Sequence, residues 1–289
     1  MAVGPSTTTS LNDLLPEIIQ EAMFVASERS IMRGLVKNYT LAPGQGKTVN
    51  VPIYPIQTAA VISEGSEVDS TEVATSNAVL TVQTVAIRTL LTDLARTSAA
   101  SNVVADLGRL FGEAVARKMD TDLTALFAGF AAGYGNYTAV ITPSDIFKAV
   151  ATLKANAVPS EGMVCVLHPE IAYDLKAALT TGGNTPFAMG GVYGEVGNEA
   201  MRTGFVGMLA GIPIYETSNI AAVTNPGDFP GAVFHRDALG LGMIGDIRIE
   251  TQRRASFLGD DIVCSAYYGV GELQDGYGRH LKFDSSINP

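Results

Sequence analysis

The sequence predicts a mixed α+β chain in which strands and helices occupy separate stretches. Three observations carry that reading. Apolar and β-branched residues alternate through much of residues 47–91, one helical stripe runs through residues 101–128, and beyond residue 140 short apolar strands alternate with proline-started helices. At 289 residues, 47% hydrophobic and 17% charged, the chain can fill a large core, and its 30 glycines and 13 prolines require many turns.

Residues 11–33 read as an amphipathic helix. Pro16 fits the first turn, and Ile18, Ile19, Ala22, Met23 and Ala26 fall on one stripe. The polar tail before it is expected to be held by other chains, because free termini seldom stay ordered untied.

Residues 43–48, Pro-Gly-Gln-Gly-Lys-Thr, end as a phosphate-binding P-loop ends. That loop needs its first glycine five positions before Gly46, where Leu41 stands. It also needs a following helix to aim backbone N–H groups at the anion. Here Val49, Val51 and Ile53 alternate instead, and Pro52 and Pro55 block a helix. The stretch is therefore a turn leading into a strand, with Lys47 in solvent.

Two strand-like arms, residues 48–62 and 78–91, flank a polar centre at 63–77. Arms of about fifteen residues would make a ribbon roughly 50 Å long. An isolated two-stranded ribbon is marginal in water, so this one is expected to lean on a partner. No basic residue lies between Lys47 and Arg88, while Glu64, Glu67, Asp69 and Glu72 crowd the tip. Two readings of the tip stand: a solvated acidic end, or an end that meets basic residues of a neighbouring subunit, with Arg253 and Arg254 as candidates.

Residues 101–128 give the strongest helix. Ser101 or Asn102 can cap it, with Asp106 in its early turns. Leu107, Leu110, Phe111, Val115, Met119, Leu123 and Phe127 step by threes and fours along a rod of about 40 Å. Gly129 and Gly133 end it. Next comes a helix capped by Thr142 with Pro143 at its first position, then the strand 163–167 and a helix started by Pro169. A glycine-rich loop comes after it (Gly182 to Gly197), then strands at 208–217 and 231–236, and two strands across 247–274 that turn near Gly259 and Asp260.

Gly240-Leu241-Gly242-Met243-Ile244-Gly245 spells the dinucleotide fingerprint, with Asp260 and Asp261 near the position of a ribose-binding acid. That fold requires a helix after the glycine turn. Residues 246–252 instead read as a half-exposed strand, alternating Ile247, Ile249 and Thr251 with polar residues. His168, His235 and His280 show no metal-ligand spacing, and there is no nucleophile elbow and no Cys-x-x-Cys. Cys165 and Cys264 sit in apolar runs and are expected to be free buried thiols. A formal net charge of −10 argues against a protein that wraps nucleic acid. No leader-like segment or apolar span of about 18 residues is present, so neither a signal peptide nor a membrane span is expected. No catalytic, cofactor-binding or metal residue is assigned, and the chain is not read as an enzyme. An unrecognised carboxylate site is the reading that would make it one.

The succession of an N-terminal helical arm, the "GKTVNVP" strand, an acidic-tipped ribbon, "LTDLARTS" and a long helix closing at "KMDTDLTALF" resembles the tailed-phage major capsid protein family, with its Hong Kong 97-type fold. "SDIFKAVATLK", "CVLHPEIAYDLKAAL", "MLAGIPIYET" and "AVFHRDALGLG" resemble that family's axial domain, and "DDIVCSAYYGVGEL" its strand returning to the peripheral domain. The resemblance spans nearly the whole chain and rests on order and texture. It implies an N-terminal arm (1–46), an extended loop (47–91), a peripheral domain with a spine helix (92–139), an axial domain (140–250) and return strands (251–289). It also implies hexamers and pentamers forming an icosahedral head that encloses double-stranded DNA without specific binding, free of cofactors and membrane. Synthesis in the host cytoplasm, a separate scaffolding protein, a portal and, in some members, a decoration protein belong to the same picture. With no lysine between Lys47 and Lys118, the extended loop is expected to hold without covalent crosslinks. An encapsulin-like compartment shell is the alternative; a phage tail protein fits the long helix less well.

Overall fold

The computed structural model describes residues 30–42, 46–54, 72–98, 103–181, 205–223 and 225–287, with single positions between 44 and 67. The expected N-terminal helix before residue 30, the Ser101 or Asn102 cap and the glycine-rich loop at 182–197 lie outside these residues.

Strand β12 (Gly259–Glu272) is the centre of a five-stranded sheet. Its first part pairs antiparallel with β4 (Gln83–Thr92) and β11 (Arg248–Arg254) on opposite edges, and its last part with β10 (Leu239–Ile244). Strand β1 (Lys37–Leu41) runs parallel beside β10. Only Leu41 of β1 is buried, so its sequence lacks the apolar run that marks an inner strand.

Two short helices, α1 (Met32–Leu35) and α2 (Asp93–Ser98), precede the long helix α3 (Val103–Ala125), which packs on this sheet. Leu107, Phe111, Val115, Met119 and Leu123 are buried as the stripe predicts, while Leu110, on its rim, stays 58% exposed. Each of these large buried side chains contributes about 1.5–3 kcal/mol. Tyr268 of β12 donates a hydrogen bond to Asp122 of α3 (2.9 Å) and so fixes the register of helix on strand. A 3₁₀ turn, Leu126–Gly129, then carries the chain to the second sheet, where Phe127 meets Phe234 with ring centroids 5.6 Å apart.

The second sheet runs β5 (Gly133–Gly135), β13 (Gly278–Asp284), β9 (Asp228–His235), β6 (Met163–Leu167), β8 (Ile212–Glu216), β7 (Phe205–Leu209). Helix α4 (Pro143–Ala155) buries Ile146, Ala149, Val150 and Leu153. At its start, where the sequence places the cap, the Thr142 hydroxyl and N–H both donate to Asp145 (2.6 and 3.2 Å). Helix α5 (Pro169–Thr181) comes after β6 as predicted. One hydrophobic cluster runs continuously through both sheets.

Residues 208–217, read as one strand, divide into β7 and β8 around Ala210 and Gly211. Both have positive φ (57° and 80°), the geometry of a two-residue hairpin turn. Strands β5 and β13 carry no readable pattern. Strand β13 buries Arg279 and His280 as well as its apolar residues, so polar and apolar positions do not alternate there.

The chain reaches α3 from its N-terminal side at a buried carboxylate. Asp120 accepts hydrogen bonds from the Ser30 hydroxyl (2.7 Å), the Ile31 N–H (3.2 Å) and Asn219 (3.4 Å). Burial pushes its pKa up, against those donors. Asp120→Ala leaves the donors without their acceptor and is expected to lower unfolding free energy by about 2–3 kcal/mol; urea unfolding monitored by circular dichroism measures it.

Candidate assembly surface

Strands β2 (Thr48–Ile53) and β3 (Ser76–Thr81) form an antiparallel ribbon, in register from Thr48 opposite Thr81 to Ile53 opposite Ser76. Glycines of positive φ at 44 and 46 make the turn before it, and Lys47 is exposed, so Gly-Lys-Thr is the start of a strand. The second predicted arm divides at Val82: residues 76–81 pair with β2, and 83–92 leave to pair with β12. The described ribbon therefore pairs six residues a strand, about 20 Å. Alternating β-branched residues suit either partner equally, which is why the pattern alone assigns 83–91 to the ribbon; most of the first arm beyond Tyr54 lies outside the described residues.

The ribbon's root lies on glycine. Gly240 and Gly242 of β10 share a face, as do Gly269 and Gly271 of β12, and the register sets Gly240 opposite Gly271 and Gly242 opposite Gly269. A Cβ at 269 would overlap the Thr81 carbonyl. One at 271 would stand 2.6 Å from Leu80, one at 240 would stand 3.0 Å from it, and one at 242 would stand 3.4 Å from Val49. Leu80 is fully buried, and the Val82 N–H donates to the Lys47 carbonyl (2.8 Å) to close the root. The dinucleotide-like glycines thus make room for a β-ribbon. Gly-x-Gly inside a strand pattern is the signal that could have shown this, since glycine there marks a close backbone approach.

Beside the other end of the described pairing an open crevice of about 470 Å³ is lined by Ile53, Ser76, Asn77 and Ala78 of the ribbon and by Glu272, Leu273, Gln274 and Asp275. Burial, then the hydrogen bond and charge of Asp275, push Glu272 up to about 7. Asp275 in turn accepts the Ala131 N–H (2.7 Å).

Of the acidic tip, Glu67 and Glu72 are exposed, and Glu64 and Asp69 lie outside the described residues. Arg253 and Arg254 sit at the far end of the five-stranded sheet. Arg253 reaches Asp93 with two N–H groups (2.6 and 2.5 Å) and approaches Asp260 (3.5 Å). Arg254 lies 3.2 Å from Asp261, which also accepts from Arg88 (2.6 Å). The Arg88 hydrogen bond holds Asp261 below the usual carboxylate range. Sequence reasoning missed these aspartate partners, because Asp93 and Arg253 are 160 positions apart.

Among the described residues no group of three or more His, Cys, Asp or Glu could hold a metal, and no helix is long and apolar enough to cross a membrane. His168 stacks on Phe229 at 3.5 Å, His235 bonds the Glu161 carbonyl (2.8 Å), and His280 packs edge-on to Tyr137. Cys165 and Cys264 are free and buried, and burial pushes both thiols up, Cys264 to about 11.

The sequence model of the family described as phage capsid protein matches residues 76–278, more than half of the chain, and the chain belongs to that family. As a member it is a capsid component of the phage particle. No curated protein matches it. Among solved structures it is similar to the capsid of Cyanophage P-SCSP1u, at 20% identity and TM-score 0.66, covering 89% of both chains. It is also similar to a Mycobacterium phage Che8 structure, at 20% identity and TM-score 0.64, covering 82% of this chain and 85% of that one. A third likeness is the mature capsid of bacteriophage PhiM1, at 17% identity and TM-score 0.62, covering 90% and 88%. At these identities the likeness shows the fold.

Glu272 gives a pH test beside the ribbon. Raised from 4.5 to about 7, it holds its proton more tightly folded than unfolded, so its stabilisation is complete below pH 4.5 and lost as pH rises through about 7. Glu272→Gln is expected to melt with wild type at pH 4.5 and about 3 °C above it at pH 8, by thermal denaturation at both values.

Proposed function

We propose that the chain is the major capsid protein of a tailed double-stranded DNA phage, assembling on a Hong Kong 97-type fold into hexamers and pentamers that close an icosahedral head. The observation that carries this reading is the family match over residues 76–278, which takes in β3, the long helix and most of both sheets. In this reading the five-stranded sheet with α3 is the peripheral domain and α3 its spine. The sheet bearing α4 and α5 is the axial domain, and the ribbon is the root of the extended loop. The sheets thus divide differently from the expected segments. Strand β10 and the first residues of β11 join the peripheral sheet although the sequence reading makes 140–250 axial, and β5 and β13 join the axial one although it makes 92–139 and 251–289 peripheral. DNA is enclosed without specific contacts, in keeping with a net charge of −10. Scaffolding protein, portal and any decoration protein are separate chains, and the host cytoplasm is the place of synthesis.

The acidic tip (Glu64, Glu67, Asp69, Glu72) meets basic residues of a neighbouring subunit. Arg253 and Arg254 are the candidates. Their side chains are 42% and 41% exposed, so each retains an outward surface while its own chain's aspartates orient it.

Negative-stain microscopy of the purified chain tests the proposal: closed shells are expected, and a solitary monomer by light scattering overturns it. Ultraviolet absorbance of shells from infected cells separates a DNA-filled head from a storage compartment. Reversing Glu64, Glu67 and Asp69 to lysine is expected to leave the melting temperature within about 2 °C of wild type and abolish shells, as a contact made only on assembly requires; normal shells would refute the tip contact.

A further inference from the structure

We infer that Gly240, Gly242, Gly269 and Gly271 are positioning residues for assembly: they form the seat that sets the direction in which the ribbon leaves the body, with little bearing on whether the body folds. This rests on the capsid reading above. Glycine inside a strand is destabilising relative to alanine, so four on one face are a standing burden on the sheet. The face they leave bare holds ribbon atoms of the same chain: Val49, Leu80, the Thr81 carbonyl and the Val82 nitrogen. On the opposite face Leu239, Leu241 and Tyr268 are buried in the core, where bulk serves folding. The two faces therefore divide the work between folding below and aiming above.

The glycines differ in a way that makes the idea testable. At 271 an added Cβ meets only the end of the Leu80 side chain within 3 Å, at 2.6 Å, and shortening Leu80 relieves it. At 269 it meets the Thr81 backbone, and no side-chain change relieves that. Filling 269 must push the 81–82 peptide off β12, and with it the Val82 N–H that donates to Lys47.

The experiment compares wild type, Gly269→Ala, Gly271→Ala and Gly271→Ala/Leu80→Ala as full chains. Two readouts are used: shell yield by sedimentation and microscopy, and hydrogen exchange of unassembled protein at 48–53, 76–82 and the α3 amides. For Gly269→Ala, exchange at Val82 is expected to rise about tenfold, α3 protection to persist, and shell yield to fall about tenfold, the loss of roughly one hydrogen bond at the root. Gly271→Ala is expected to lose yield, and Leu80→Ala to restore it. Gly269→Ala with unchanged Val82 exchange and normal shells overturns the inference. So does loss of α3 protection in both single variants, which would make the glycines a folding requirement. If only Gly269→Ala loses α3 protection, the 271 pair decides: restored yield supports the seat, and unrestored yield refutes it. Wild type that forms no shells while Gly269→Ala still frees Val82 supports the seat and sinks the capsid reading on which its assembly role rests.

Discussion

Strand β12 must satisfy a helix on one face and a ribbon on the other, and the rest of the chain is arranged around that demand. Its fourteen residues hydrogen-bond to three other strands, so they cannot shift register without tearing the sheet apart. Helix α3 lies against one face, pinned by Tyr268 and Asp122. Through the turn after α3 the core continues into the second sheet, which is why a single hydrophobic cluster serves both. Asp120 draws residues 30 and 31 onto the same helix.

Charge is handled in two ways. At the far end of the sheet, three arginines and three aspartates balance one another across β4, β11, β12 and α2, which begins at Asp93. The Arg88 hydrogen bond holds Asp261 below the usual carboxylate range, so its contribution is present above that range and lost as pH falls through it. The Glu272 and Asp275 pair behaves oppositely, because two acids share a half-buried place and one holds its proton. The opposite pH responses of the sheet's two ends come from arginine present at one and lacking among the partners of Glu272 at the other.

Much of the architecture was legible in the sequence because local chemistry announced it. The Thr142 and Pro143 start of α4, the apolar run of β6 and the stripe of α3 each state their own element. The hidden parts depended on distant partners. Strand β13 is buried on both faces and so loses its alternation. The second arm could not reveal that half of it belongs to β12. The false nucleotide signals make the same point: Gly240 and Gly242 carry the ribbon, Asp260 and Asp261 hold arginines, and Gly44 and Gly46 turn the chain. The expected role of Arg253 and Arg254 was read from charge alone, and their aspartate partners emerge only when the sheet is assembled.

The described pairing of the ribbon has a mechanical consequence. The six paired residues span about 20 Å, and a tilt of about ten degrees at the root displaces the other end of that pairing by about 3.5 Å. A displacement of that size separates a hydrogen bond from no bond. Angular tolerance at the fulcrum is therefore tighter than any distance tolerance along the arm, and a flat bed of backbone is one of the few surfaces a chain can build that holds an angle without relying on rotamers.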